Sequence, residues 1–82
     1  MRLLALPNNL SCDDVVKALG KVGFKIEGGT KGHIKMKKPK TTVEDPPRIV
    51  IIPRHKEIAR GTLRSIVDQA GLTRDEFLQL VH

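Results

Sequence analysis

Aromatic residues are scarce in this 82-residue chain, which has no Trp, no Tyr and two Phe residues, Phe24 and Phe77. A hydrophobic core must therefore consist mainly of aliphatic side chains. Single-strand binding by aromatic stacking, the device of RNA-recognition sheets and OB-folds, is disfavoured because it needs exposed rings. The single cysteine, Cys12, excludes an intramolecular disulfide and is typical of a reducing compartment.

Long apolar runs are missing as well. No stretch approaches the roughly 20 residues that a membrane helix needs, and the N-terminal MRLLALP is too short for a secretory signal. We therefore expect a cytoplasmic protein without a membrane partner, folded as one domain over residues 1–82. The three histidines, at positions 33, 55 and 82, share no ligand spacing, so we expect neither a metal site nor a cofactor.

Positive charge is in excess. The chain has 15 Lys and Arg against 9 Asp and Glu, a formal net charge of +6 and a pI near 9.9. Such an excess favours an anionic partner: nucleic acid, an acidic protein or an anionic membrane surface. Charge alone does not distinguish these partners, so the location of the basic residues matters more.

Apolar spacing predicts three helices. Ser11 is a typical N-cap for the first, which ends near Gly20 and Gly23. The second carries apolar residues at positions 63, 66, 67 and 70 and ends at Gly71. Thr73, with Glu76 three residues later, predicts a capping box for the third.

Period-two alternation predicts three strands, over residues 24–27, 31–38 and 48–52. A glycine turn at positions 28, 29 and 32 joins the first two, Pro39 begins a connection over residues 40–47, and Pro53 ends the third. Consecutive strands with short connections imply a three-stranded antiparallel sheet with helices on one face. The predicted fold is α+β, in the order α-β-β-β-α-α.

The second strand carries the clearest candidate site, because one of its faces reads Lys31, His33, Lys35 and Lys37. Histidine exchanges a proton near neutral pH, and lysines neutralise a phosphate and the charge that develops on it. This combination suits RNA cleavage, in which a base deprotonates a ribose 2′-hydroxyl and the adjacent phosphate is attacked. A solvated histidine beside a turn explains the same residues without any chemistry.

A second concentration of charge follows the third strand and consists of Arg54, His55, Lys56, Arg60 and Arg64. Free amides at the start of the next helix would favour an anion there. His55 fits equally well as a turn histidine bonded to the backbone. Cys12 has no partner for catalysis in the sequence and is interpreted as a bystander.

Three segments of the chain, LGKVGFKI, KGHIKM and RIVIIPRHKEIARGTLRSIVDQAGLTRDEFLQL, resemble the HicA family of small toxins, over about residues 11–80. The resemblance implies a fold similar to the double-stranded-RNA-binding domain. It also implies an mRNA interferase, an endoribonuclease that cleaves RNA without a metal and is neutralised by a HicB antitoxin. The catalytic histidine of the family falls on His33.

The resemblance sets the predicted site, with His33 as general acid or base. Candidate RNA-binding residues are Lys31, Gly32, Lys35, Lys37, His55, Arg60 and Arg64. One departure concerns Gly32, because the usual family signature is Gly-Ser-His and this chain has no hydroxyl there. The backbone amide of Gly32 can still approach a phosphate closely.

Two other functions fit the sequence. A non-catalytic RNA-binding module of the same fold would bind RNA in a salt-sensitive way and leave it intact. A protein-binding domain would use the apolar RIVII strand; in the toxin interpretation this becomes the antitoxin interface, with acidic residues opposite the lysines. An exposed third strand could pair across a homodimer, or the chain could form a hetero-oligomer with its antitoxin.

Overall fold

The computed structural model describes residues 6–39 and 46–81. In these ranges the order is α1 (Cys12–Gly20), β1 (Lys25–Gly29), β2 (His33–Lys38), β3 (Arg48–Pro53), α2 (Arg60–Gln69) and α3 (Arg74–Val81). The strands pair antiparallel in the order β1-β2-β3. The predicted α+β class and element order are confirmed. Most of the predicted connection over residues 40–47 lies outside the described residues.

One face of the sheet forms the floor of the core. Ile34 lies opposite Ile52 and Met36 opposite Val50, and all four side chains are buried. They form one cluster with the apolar sides of α1, α2 and α3, which include Val15, Leu19, Leu63, Ile66 and Phe77. Paired residues of neighbouring strands point to the same side of a sheet, so the helices cover this face at β2 and β3 and leave the other face open.

Capping boxes begin α1 and α3. The N-cap at Ser11 and the capping box of Thr73 and Glu76 are as predicted, and the bond from the Ser11 N–H to Asp14 completes a further capping box at α1. The Asp14 N–H donates to Ser11 Oγ at 3.1 Å, and the Ser11 N–H donates to the Asp14 carboxylate at 2.9 Å. Likewise, the Glu76 N–H donates to Thr73 Oγ1 at 3.1 Å, and the Thr73 N–H donates to the Glu76 carboxylate at 2.8 Å. The bonds from the Ser11 and Thr73 backbone N–H groups lower the pKa of the Asp14 and Glu76 carboxyls, respectively.

The hairpin between β1 and β2 differs from the prediction. Gly28 and Gly29 belong to β1, which has a β-bulge between Ile26 and Gly28. A Cβ on Gly29 would collide with the carbonyl oxygen of His33, so only glycine lets the two backbones approach this closely. The turn is therefore made by residues 30–32, and β2 begins at His33, later than predicted.

The end of β3 also differs, because Pro53 is its last residue. The Ile51 N–H donates to Gln69 Oε1 of α2 at 3.4 Å, so it points away from β2. Backbone direction alternates along a strand, which places the nitrogen of Pro53 at the same outer edge. Proline is tolerated there because no ladder donor is required.

No helix among the described residues is both long and apolar enough to span a membrane.

Candidate active site

The open face of the sheet carries His33, Lys35 and Lys37 in a row along β2. Their β3 partners in the register are, in the same order, Pro53, Ile51 and Ile49. His33 is exposed, and the two lysines are partly buried. The side chains of Ile49 and Ile51 remain 48% and 43% exposed. The structure therefore places one imidazole at the end of a row of two ammonium groups, beside an apolar pair.

A carboxylate that the sequence analysis did not single out lies on this face. Glu27 Oε1 is 3.9 Å from Lys35 Nζ, and Glu27 Oε2 is 3.9 Å from Lys37 Nζ. The bulge makes Glu27 an extra residue of β1 opposite β2, a position that depends on hairpin register and not on sequence spacing. Partly exposed pairs of this kind contribute about 0–1 kcal/mol, so both lysines remain available to another anion.

The turn before His33 is closed by its own hydrogen bonds. The Thr30 N–H donates to the His33 carbonyl at 2.8 Å, and the Gly32 N–H donates to Thr30 Oγ1 at 3.2 Å. Gly32 does not have a positive φ, and a Cβ there would meet no atom within 4 Å. The backbone thus requires glycine at position 29 but not at position 32. Lys31 lies in this turn and not on the strand face.

Arg54 joins the end of β3 to the same turn. Its backbone N–H donates to the Gly32 carbonyl at 2.9 Å, and its Nε donates to the Thr30 carbonyl at 2.9 Å. Arg54 belongs to the basic cluster predicted after the third strand, but no contact with the turn before His33 was predicted for it. Its contact with the turn follows from its place after Pro53, the partner of His33, and is evident only once the strand register is known.

A shallow cleft of about 200 Å³ lies beside this turn, lined by Ser11, Cys12, Asp13, Ile34, Arg54, His55 and Lys56. The His55 carbonyl accepts a hydrogen bond from the Cys12 N–H at 3.0 Å, which ties the residue after β3 to the start of α1. Burial raises the pKa of the Cys12 thiol, Asp13 adds to that effect, and Arg54 opposes it. A raised pKa keeps the thiol protonated and makes Cys12 a poor nucleophile.

Arg60 and Arg64 lie elsewhere. They line a separate groove of about 330 Å³ with Leu6, Gly61 and Arg74. Arg60 Nε donates to the Leu6 carbonyl at 2.8 Å, so part of its guanidinium holds the N-terminal segment. This groove shares no lining residue with the cleft beside the turn. Sequence proximity had grouped Arg60 and Arg64 with His55, but the structure assigns them to a different surface.

Among residues 6–39 and 46–81, no group of three or more His, Cys, Asp or Glu side chains could hold a metal ion. The titratable groups of the open face are instead one imidazole, the lysine ammonium groups and the Glu27 carboxylate. This arrangement is suited to proton transfer beside a bound anion.

The protein is thus a small α+β domain with a basic sheet face that presents one histidine. Residues 12–72 match the family model described as HicA toxin of bacterial toxin-antitoxin. The match covers more than half of the chain, and the protein belongs to the HicA toxin family. The family implies an antitoxin partner. A search of curated proteins finds no match.

Proposed function

We propose that this toxin is an mRNA interferase, a metal-independent endoribonuclease of the cytoplasm in which His33 is the general acid or base. The observation that carries the proposal is the position of His33. Its exposed imidazole begins β2, shares the open face with Lys35 and Lys37, and is held by a closed turn. An RNA strand lying along this face would bring a phosphate to the lysines and a ribose to the histidine.

The reaction follows from the groups present. Nε2 or Nδ1 of neutral His33 accepts the proton of a ribose 2′-hydroxyl, and the 2′ oxygen attacks the adjacent phosphorus. A bond forms between the 2′ oxygen and phosphorus, the bond from phosphorus to the 5′ oxygen breaks, and that oxygen takes up a proton from solvent water. Lys35 and Lys37 stabilise the negative charge that grows on the phosphate oxygens.

The other candidate residues would hold the flanking RNA. Lys31 and the Gly32 amide lie in the turn next to His33, and His55 lines the adjacent cleft. Arg60 and Arg64 line the groove on the helical side, so they would contact a more distant part of the backbone. Their loss should weaken binding and change the salt dependence more than the rate of cleavage.

A HicB-type antitoxin would neutralise the toxin by covering the open face. Ile49 and Ile51 offer an apolar centre, and Lys35 and Lys37 offer a basic rim for Asp and Glu of the partner. A hetero-complex on this face is favoured over a homodimer paired through β3, because Gln69 already occupies the Ile51 N–H at that edge. Association should be fast at low salt and slow as salt is raised.

Cleavage of a mixed-sequence RNA in the presence of EDTA tests the proposal. His33→Ala should lower the cleavage rate by about 10²- to 10⁴-fold, the usual contribution of a general base. Its unfolding transition should match that of the wild type because His33 is exposed. His55→Ala, which removes the other histidine near the turn, should reduce cleavage far less. Undiminished cleavage by His33→Ala would contradict the assignment, and loss of wild-type cleavage in EDTA would contradict metal independence.

A non-catalytic RNA-binding module is the second candidate. It is favoured by one observation, the absence of a hydroxyl at Gly32 beside the imidazole. Intact RNA with both the wild type and His33→Ala, together with a salt-sensitive mobility shift, would establish this function instead.

A further inference from the structure

We infer that Arg54 is a positioning residue that sets the orientation of His33 for RNA cleavage; the inference rests on the proposed function. The sequence pattern and the resemblance that it carries predict roles for His33 and the lysines, whereas the structure shows which contacts hold the turn before His33.

Two bonds from one residue fix the turn. The backbone N–H of Arg54 donates to the Gly32 carbonyl at 2.9 Å, which extends the β2–β3 pairing one step past His33 and Pro53. The side-chain Nε donates to the Thr30 carbonyl, also at 2.9 Å. Arg54 therefore holds the carbonyls on both sides of Lys31.

The turn passes this restraint directly to His33. Thr30, whose carbonyl receives the Arg54 Nε, donates its own N–H to the His33 carbonyl at 2.8 Å. A shift of Thr30 therefore moves the backbone of His33 and displaces the imidazole. Displacement of a catalytic group by about 1 Å can slow a reaction by about a hundredfold.

The backbone bond survives any substitution except proline, so the side-chain bond can be tested separately. Arg54→Gln places an N–H donor at the former position of Nε and removes the charge. Arg54→Lys retains the charge but puts a methylene at that position. Arg54→Met removes both the donor and the charge at similar length. Arg48→Met, at the opposite end of β3, is a matched control for loss of a surface arginine.

We expect Arg54→Met to lower kcat about tenfold, in line with loss of one charge-assisted hydrogen bond. Arg54→Gln should recover most of kcat and show a higher KM for RNA, because it restores the donor without the charge. Arg48→Met should leave kcat unchanged. Equal loss of kcat in Arg54→Gln and Arg54→Met, with full kcat in Arg54→Lys, would overturn the inference and assign Arg54 a purely electrostatic role. Full kcat in all three Arg54 variants would also overturn it.

Amide hydrogen exchange at Thr30 separates this inference from the proposed function. If the wild type does not cleave RNA, the proposed function fails, and exchange still reports whether Arg54 holds the turn. Faster exchange of the Thr30 N–H in Arg54→Met than in the wild type and Arg54→Gln would support the positioning role. Identical exchange in all of these proteins would overturn it.

Discussion

The two faces of the sheet differ in chemistry although they are made by alternate residues of the same strands. On the covered face, Ile34, Met36, Val50 and Ile52 are at most 6% exposed and pack against the helices. On the open face, β2 presents an imidazole and two ammonium groups, while β3 presents two isoleucines that are nearly half exposed. Packing of the covered face against the helices stabilises the fold. Side chains on the open face are not needed for this packing and are free to serve binding and catalysis.

Neighbouring residues of one strand therefore have different roles, in folding on the covered face and in binding on the open face. A substitution on the covered face should lower the free energy of unfolding and affect function only through folding. A substitution on the open face should change RNA or antitoxin binding with little effect on folding. Four sets of substitutions test the difference between the faces and the geometry of the β1–β2 hairpin beside His33. They are given in decreasing order of expected effect.

Ile52→Ala and Ile51→Ala remove the same atoms from opposite faces. Ile52 is fully buried, so its truncation should lower the free energy of unfolding by about 2–5 kcal/mol. Ile51 is 43% exposed, and its truncation should cost about 1 kcal/mol or less. Urea denaturation of both variants measures the difference; equal costs would show that the faces are not distinct. Ile51→Ala should also weaken binding of the antitoxin.

Gly29→Ala and Gly28→Ala compare two glycines with the same φ of 155°. A Cβ at position 29 meets the His33 carbonyl oxygen and lies 3.1 Å from the Ile34 Cα, whereas a Cβ at position 28 meets nothing within 4 Å. Gly29→Ala should therefore be the less stable variant by about 1–3 kcal/mol, the usual cost of overpacking. It should also cleave RNA more slowly, because His33 is displaced. Equal stability of the two variants in urea would show that the positive φ, and not the contact with the His33 carbonyl oxygen, determines the loss of stability.

Gly32→Ser supplies the hydroxyl that the resemblance to HicA toxins predicts at this position. The backbone accommodates the change, because Gly32 does not have a positive φ and the space around it is open. We expect unchanged stability and a cleavage rate about 2- to 10-fold higher, the effect of one added hydrogen bond. Gly32→Ala is the control for the added carbon. An equal rise in both variants would exclude the hydroxyl as the cause.

Glu27→Gln should have the smallest effect. Removing the carboxylate that lies 3.9 Å from Lys35 and Lys37 frees both ammonium groups for RNA. Affinity should rise about 2- to 5-fold at low salt, consistent with weak exposed ion pairs, and the gain should shrink as salt is raised. A mobility-shift titration at two salt concentrations measures this. Weaker binding by Glu27→Gln would show that the carboxylate orients the lysines instead.

Much of the fold could be predicted from local pattern. The N-cap at Ser11 and the capping box at Thr73 follow from short motifs with a definite hydrogen-bond geometry, and the alternation in β2 correctly separated His33 from Ile34. The RIVII run was less informative, because isoleucines stand on both faces of β3. Its apolar character identifies a strand, but it does not show that Ile49 and Ile51 are left exposed.

The parts of the candidate site that escaped prediction depend on register. Glu27 reaches the lysines because a bulge shifts β1 by one residue, and no sequence spacing encodes that bulge. Arg54 reaches the turn because Pro53, the residue before it in β3, pairs with His33 in β2. These two strands are separate in the sequence, so the pairing is known only from the register. The glycine turn was predicted two residues early, because Gly28 and Gly29 serve close strand approach and not chain reversal.

The outer edge of β3 has a consequence for aggregation. An apolar, strongly β-forming segment at the edge of a sheet is a template for strand addition by other molecules. Here Pro53 has no N–H to offer at that edge, and the Ile51 N–H is already bound to Gln69. An incoming strand would meet one missing donor and one occupied donor. These two features hinder strand addition at this end of the edge, while Ile49 and Ile51 remain exposed on the open face.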